Sequence, residues 1–148
     1  MERVRIIDGP FEPWREVQSF QDQCLPEHAG VGATSVFVGS MRDFNEGDAV
    51  TGMTLEHYPG MTEKHLEAII DDAKRRWDLV ECLIVHRVGP IVPTDAIVLT
   101  AVWSAHRREA FEACRFLMEE LKSRAPFWKK ETLADGGERW VEKNTPGY

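Results

Sequence analysis

Basic side chains are concentrated in one part of this sequence, between Ser104 and Glu131. Residues 104–130 contain seven Lys and Arg residues and four Glu residues, a local charge of +3, although the whole chain carries −7. A confined basic region on an acidic protein suits a small anion or an acidic peptide end. Nucleic acid requires an extended basic face, so the composition argues against a nucleic-acid-binding protein.

Three of these basic residues, His106, Arg107 and Arg108, stand where a helix is predicted to begin. The positive end of a helix dipole disfavours cations, but a bound anion would reverse that effect. Free backbone N–H groups, guanidinium groups and an imidazole together would bind phosphate or carboxylate. A solvated helix end is the alternative, and these three residues alone leave it open.

Two lysines, Lys122 and Lys129, lie on either side of the predicted end of the same helix. Each has other cations close in sequence, and both burial and like charge lower the pKa of a lysine. A lysine with a lowered pKa can donate or accept a proton near neutral pH. The alternative interpretation is that both are ordinary surface lysines.

The helix that would position these groups is predicted from apolar residues that recur every three or four positions. Ser104 is expected to cap its start, because the hydroxyl can accept a free backbone N–H. Ala125-Pro126 is expected to end it, because proline disfavours helical geometry in the residue before it. The predicted apolar face consists of Phe111, Cys114, Leu117, Met118 and Leu121.

Upstream of this helix, two segments rich in β-branched and apolar residues predict a β-hairpin. They are Ala33–Arg42 and Val50–Tyr58, and Asn45-Glu46-Gly47-Asp48 supplies the turn signal between them. Arg42 is placed at the end of the first strand, from which its side chain could reach a neighbouring pocket.

A second hairpin is predicted at the C-terminal end, where Phe127–Leu133 and Glu138–Glu142 flank Asp135-Gly136-Gly137. This hairpin could bring Arg139 close to Lys129 and so add a cation to the site. Residues 144–148 are predicted to form a loose tail.

The order of predicted elements is β-α-β-β-α-β-β-α-β-β, with short turns between neighbouring strands. This order predicts one α+β domain over residues 1–148, α/β-hammerhead-like, with a C-terminal β-hairpin. We expect three helices on one side of a largely antiparallel sheet. A doubly wound dinucleotide fold is excluded, and the sequence lacks both G-x-G-x-x-G and G-x-x-x-x-G-K-[ST].

The sequence predicts neither a metal site nor a membrane segment. Its five histidines show no ligand spacing with each other or with cysteine. Cys24, Cys82 and Cys114 are an odd number without a C-x-x-C motif and are interpreted as reduced thiols of a cytoplasmic protein. No apolar segment approaches the roughly 20 residues of a membrane span, and the acidic start is unlike a signal peptide.

Three segments together resemble the large, catalytic subunit family of molybdopterin synthase. They are TLEHYPGMTEKHLEAI from Thr54, SAHRREAF from Ser104 and LKSRAPFWKKE from Leu121. The resemblance extends from about Ala33 to Glu142, and residues 1–32 match loosely. The last two segments are long enough to be highly specific.

The resemblance implies a sulfurtransferase that works with a partner and requires no cofactor. In that family the large subunit is a homodimer, and a small ubiquitin-like sulfur-carrier subunit binds at each end to give a heterotetramer. The carrier ends in Gly-Gly, activated as a thiocarboxylate. Two sulfurs are transferred to cyclic pyranopterin monophosphate, and the product is molybdopterin, whose dithiolene later holds molybdenum.

The resemblance also implies site residues, position by position. Lys122 and Lys129 would be catalytic: Lys122 would stabilise the thiocarboxylate charge, and Lys129 would move protons. The substrate pocket would be lined by Ser40, Met41, Arg42, His106, Arg107, Lys129, Lys130 and Glu131, to which the hairpin geometry adds Arg139. Arg42, His106 and Arg107 would hold the cyclic phosphate through charge-assisted hydrogen bonds.

Two other functions remain as alternatives. One is a docking module that binds a ubiquitin-like tail without catalysis, although the presence of both lysines argues against it. The other is a different enzyme for small phosphorylated heterocycles that uses the same anion pocket.

Overall fold

The computed structural model describes residues 1–141. The predicted tail, residues 144–148, lies outside this range. In chain order the elements are β1 (Val4–Asp8), α1 (Pro13–Cys24), β2 (Ala33–Ser40), β3 (Phe44–Asn45), β4 (Asp48–His57), α2 (Met61–Arg76), β5 (Leu79–Ile91), β6 (Ala96–Ser104), α3 (Arg107–Arg124), β7 (Phe127–Leu133) and β8 (Glu138–Trp140). The α+β class with three helices on a largely antiparallel sheet is confirmed.

The strands follow the order β2-β6-β5-β4-β7-β8, with β1 beside β5 and β3 beside β4. Only the β1–β5 pair is parallel among the described pairs. β5 is 13 residues long, and only its last residues, Gly89–Ile91, pair with β4. The long strand thus joins the β1–β6 part of the sheet to the smaller β4–β7–β8 part.

The predicted pairing of Ala33–Arg42 with Val50–Tyr58 is wrong. β2 pairs along its length with β6, and β4 pairs with β5 and β7. The turn signal is nevertheless used, because it closes the small hairpin between β3 and β4, in which Asn45 lies opposite Asp48. A turn signal fixes only the local chain reversal, whereas the partners of a long strand are chosen by burial.

The expectation that all helices share one side of the sheet is also wrong. Cys82 and Ile84 of β5 pack with α2 and α3, whereas the alternate residues Leu83 and Val85 pack with Phe20 of α1. Side chains alternate between the faces of a strand, and here both sets are apolar. Both faces therefore require a cover, and α1 supplies the second one.

A third, smaller apolar cluster underlies the β4–β7–β8 part of the sheet. It contains Met41, Val50, Met53, Leu55 and Ile91, all less than a tenth exposed. The predicted C-terminal hairpin is present beside it, with Glu131 of β7 opposite Arg139 of β8. This region, where β2 ends, lies next to the end of α3.

Candidate functional site

A cleft of about 230 Å³ lies where the end of β2, the end of α3 and the inner face of β7 meet. Polar side chains from these three parts of the chain line the cleft together with apolar side chains. The cleft is lined by Ser40, Met41, Arg42, Phe44, Asn45, Met53, Ile97, Lys122, Lys129, Glu131 and Val141. Six of the residues predicted from sequence are therefore together in one cavity.

Lys122 and Lys129 are neighbours in this cleft. Lys122 lies in the last turn of α3, and the chain reverses at Ala125-Pro126 to enter β7, which carries Lys129. Burial, and then the charge of Lys129 beside it, lowers the pKa of Lys122 to about 7. Near neutral pH a substantial share of Lys122 is thus an uncharged amine.

Glu131 is the acidic member of the cleft and is only 5% exposed. Its Oε1 accepts hydrogen bonds from the Asn45 side-chain amide at 3.1 Å and from Arg139 Nε at 3.0 Å. A buried carboxylate requires such partners because it has lost its hydration. Glu131 is therefore held in one place by the β3–β4 turn on one side and β8 on the other.

Arg139 does not line the cleft. Besides Glu131, its guanidinium donates to Asp48 Oδ2 at 2.7 Å and to the Asn45 carbonyl oxygen at 2.9 Å. These acceptors neutralise its charge, and the hydrogen bonds that it donates to Glu131 and Asp48 raise its pKa. Arg139 thus supports Glu131, whereas the hairpin signal in the sequence predicted a contact with substrate.

Lys130 lies on the other face of β7, because neighbouring residues of a strand point to opposite faces. Its ammonium group lies 2.8 Å from Glu138 and 5.6 Å from the centroid of the Trp140 ring. Lys129 and Glu131 face the cleft, and Lys130 between them faces outward. Lys130 thus lies apart from the lysine pair although it is adjacent in sequence.

Ser40, Met41 and Arg42 enter the cleft at the end of β2. Met41 is buried in the third apolar cluster, with 6% of its surface exposed, and this fixes the backbone on both sides of it. Arg42 is exposed, and its guanidinium carbon lies 4.8 Å from the centroid of the Phe44 ring. Within residues 1–141 no carboxylate forms an ion pair with Arg42, which lines the cleft.

His106 and Arg107 are not in this cleft. They begin α3, and Lys122 is fifteen residues further along the same helix, a distance of about 22 Å at 1.5 Å per residue. Both are exposed. The predicted convergence of the basic residues at the two ends of the helix therefore does not occur within one chain.

A second, more apolar groove of about 450 Å³ runs between β2 and α3. Phe37 and Phe111 project into it with 44% and 65% of their surfaces exposed. Phe111, which the periodicity placed on the buried face of the helix, is thus at the surface. Lys122 lines both this groove and the polar cleft, so the two cavities meet at one lysine.

His86 lies near the lysine pair and was not singled out from the sequence. Its ring is buried, stacks on Phe127 with 3.9 Å between centroids, and donates from Nδ1 to the Arg87 carbonyl oxygen at 2.8 Å. Burial lowers the pKa of His86 to about 3, and the charges of Lys122 and Lys129 act in the same direction. His86 is therefore neutral and adds no third charge behind the lysines.

The sequence gives no indication of the apolar part of the cleft. Met53 and Ile97 carry no chemical signature, and only the pairing of the strands brings them together. Asn45 belonged to a turn signal, which gave no indication that its amide holds Glu131. An acidic residue that follows two lysines in a predicted strand, as in Lys129-Lys130-Glu131, was the available indication that Glu131 needs partners from elsewhere.

Within residues 1–141, no group of three or more His, Cys, Asp or Glu side chains is arranged to hold a metal ion. None of the helices in that range is long and apolar enough to cross a membrane.

Comparisons with known proteins agree with this architecture. The model of the family described as MoaE protein matches residues 10–124. A molybdopterin synthase catalytic subunit from Yersinia pestis is 56% identical over 140 residues, which cover 95% of this chain and 89% of that protein. The catalytic subunit from Escherichia coli is 46% identical over 142 residues, 96% of this chain and 92% of that one.

Solved structures give the same result. The crystal structure of molybdopterin synthase from Staphylococcus aureus superposes with a TM-score of 0.85 at 32% identity, covering 97% of this chain and 99% of that one. The extent of these matches confirms the resemblance that was based on three segments. The chain belongs to the MoaE family, whose members include molybdopterin synthase catalytic subunits.

Proposed function

We propose that this chain is the catalytic subunit of a molybdopterin synthase and transfers sulfur from a carrier thiocarboxylate to cyclic pyranopterin monophosphate. The carrier is a small ubiquitin-like subunit that ends in Gly-Gly. The observation that supports this proposal best is the position of Lys122, which lines both the polar cleft and the apolar groove. The carrier tail and the anionic acceptor each require a cavity of their own, and the two cavities must meet where sulfur is transferred.

The apolar groove suits the carrier tail. A tail ending in Gly-Gly is narrow, and residues before it can pack against the exposed rings of Phe37 and Phe111. Its terminal thiocarboxylate would then lie beside Lys122. The lysine in its ammonium form stabilises the negative charge on sulfur and oxygen, as a preorganised electrostatic group does in other acyl transfers.

The polar cleft suits the pyranopterin. Arg42 supplies a guanidinium for the cyclic phosphate, since a planar fork of donors matches phosphate oxygens. Lys129 lies next to Lys122 and donates or accepts protons as C–S bonds form and the cyclic phosphate opens. Glu131, held by Asn45 and Arg139, supplies a fixed acceptor for the hydrogen-bond donors of the substrate.

His106 and Arg107 enter this proposal through a second copy of the chain. The family resemblance implies that they line the substrate pocket, yet α3 separates them from Lys122 by about 22 Å. A homodimer whose two α3 helices lie antiparallel across the two-fold axis would bring the start of α3 of one copy to the end of α3 of the other. We therefore assign both residues to the cleft of the partner copy.

The domain organisation of the chain and its cellular compartment are part of the same proposal. We propose one domain spanning the chain, and the cytoplasm as its compartment. Cys82 and Cys114 are buried free thiols, which suits a reducing compartment.

A reconstitution tests the proposal. The purified chain, the thiocarboxylated carrier and cyclic pyranopterin monophosphate are expected to yield molybdopterin, detected as its fluorescent oxidation product. Lys129→Ala is expected to lower the rate by about a hundredfold, because a general acid–base group contributes on this scale. Lys130→Ala is the matched control, since this neighbouring lysine faces away from the cleft.

The outcomes separate the alternatives. Binding of the carrier tail without any product would favour the docking module. If Lys129→Ala were as active as the wild type, the proton-transfer role of Lys129 would be rejected.

The pH dependence follows from the pKa of Lys122. The ammonium form is the one that stabilises a thiocarboxylate, and the pKa of that group in the free protein is about 7. We therefore expect kcat/KM to fall as the pH rises above about 7, since this ratio reports the free enzyme. In Lys122→Arg, whose guanidinium stays charged, any remaining activity should lack this fall. An unchanged high-pH limb in Lys122→Arg would assign the titration to another group.

A further inference from the structure

Arg42 is exposed, yet Met41, the residue before it, is held more firmly than a residue just beyond the end of a strand normally is. Met41 donates its backbone N–H to the Asp95 carbonyl oxygen at 2.9 Å and accepts from the Thr94 N–H, also at 2.9 Å. These two bonds lie beyond the last paired residue of β2, where the regular register is already interrupted between Gly39 and Ser40. The turn between β5 and β6 therefore clamps the start of the Arg42 segment.

The turn that forms this clamp is itself fixed by a part-buried ion pair. Arg87 is 6% exposed, and its Nη1 lies 2.6 Å from Asp95 Oδ2. Its Nη2 donates to the Pro90 carbonyl oxygen at 2.8 Å, which ties the pair to the end of β5. The same Asp95 oxygen accepts the Val92 N–H at 3.3 Å, so one carboxylate closes the whole turn.

Backbone strain in the turn indicates that the closure is required. Thr94 has a φ angle of 79°, in the left-handed region that β-branched residues avoid. Such a conformation persists only where surrounding contacts enforce it, and it is concentrated at functional sites. Here the conformation points the Thr94 N–H at the Met41 carbonyl oxygen. The strained residue thus makes one of the two bonds of the clamp.

We propose that Arg87 and Asp95 are positioning residues for substrate recognition, which hold the Val92–Asp95 turn so that Met41 and Arg42 present a guanidinium at a fixed place in the cleft. Neither side chain lines that cleft, so both act through Arg42. The proposal rests on the proposed function in that the anion held by Arg42 is the cyclic phosphate. The lysine pair lies on α3 and β7, outside the clamped turn.

Asp95→Asn tests the proposal in the intact complex with the carrier. The amide keeps the shape of the side chain but cannot form the ion pair with Arg87. We expect KM for cyclic pyranopterin monophosphate to rise about tenfold with kcat within about threefold of wild type, because misplaced binding groups weaken productive binding. Binding of the carrier should not change.

A double-mutant cycle separates positioning from a general loss of stability. Arg42→Ala alone should also raise KM, and adding Asp95→Asn to it should have no further effect, because both changes remove the same interaction. Glu16→Gln is the matched control: it breaks the half-buried ion pair of Arg5 and Glu16, neither of which lines the cleft. Additive effects of Asp95→Asn and Arg42→Ala would overturn the proposal.

Amide hydrogen exchange tests the clamp without any catalysis. Met41 N–H should exchange at least tenfold faster in Asp95→Asn than in wild type, while in Glu16→Gln it should not. Unchanged protection of Met41 in Asp95→Asn would show that the ion pair does not hold the segment. Faster exchange together with an inactive wild-type protein would instead keep the clamp and reject the proposed reaction.

Discussion

Lys122→Ala is expected to lower the rate of molybdopterin formation by on the order of a thousandfold, because one preorganised charge at the reacting group contributes on this scale. Among the residues that the structure describes, Lys122 alone lines both the polar cleft and the apolar groove. Its removal therefore affects the donor and the acceptor together. The measurement is a single-turnover assay with the carrier in excess.

Loss of activity on removal of the Lys122 amine should not be accompanied by loss of stability, provided that the apolar stem is kept. The pKa of Lys122 is about 7 in the folded protein, well below the usual 10.5 of a lysine. Between these two values the unfolded chain binds a proton that the folded chain has released, so this group makes stability increase with pH there. At or below pH 7 the buried lysine opposes folding.

Lys122→Met keeps the apolar stem and removes the amine, so its melting temperature at pH 7 should equal or exceed that of wild type. Its activity should be as low as that of Lys122→Ala. Lys64→Ala, on the exposed surface of α2, is the control for removal of a lysine from a helix. If Lys122→Met kept a rate within tenfold of wild type, the charge-stabilising role of Lys122 would be untenable.

The lysine pair could be found from sequence because its geometry is local. A helix end, a proline and a short strand fix where Lys122 and Lys129 lie relative to each other, and only six residues separate them. Alternation along β7 also predicts that Lys129 and Glu131 share a face and that Lys130 does not. The family resemblance implied Lys129, Lys130 and Glu131 together as site residues. The strand geometry shows that Lys130 faces away from the other two.

The non-local half of the site could not be obtained in this way. Met41 and Arg42 are placed by a turn more than 50 residues later in the chain, through two backbone hydrogen bonds that no sequence pattern encodes. The predicted β2–β4 hairpin failed for the same reason, since the true neighbour of β2 is β6. Burial on both faces of β5 and β6 decides these pairings, and neighbouring turn signals do not.

The same reasoning explains why the sequence did not indicate that the two ends of the basic helix lie far apart. Sequence proximity suggested that His106 and Lys122 belong to one site, but a rigid helix of 18 residues holds its ends apart. Proximity along a helix becomes proximity in space only over one turn. A site that uses both ends of α3 must therefore be assembled from two copies of the chain.

This requirement leads to the prediction that two inactive variants restore each other. Arg107→Ala and Lys122→Ala should each be inactive as pure dimers, because every cleft lacks one of its groups. In a mixed dimer one cleft carries both changes and the other carries neither. Random pairing makes half of the dimers mixed, each with one intact cleft, so the mixture should recover about a quarter of the wild-type activity.

The opposite geometry gives a clearly different result. If Arg107 and Lys122 served the same cleft from one chain, every cleft of every dimer would keep one change and the mixture would stay inactive. Lys122→Ala mixed with Lys129→Ala provides the internal control, since these two lysines line the same cleft and should not restore each other. Recovery in the first mixture and none in the second would place the start of α3 in the cleft of the partner copy.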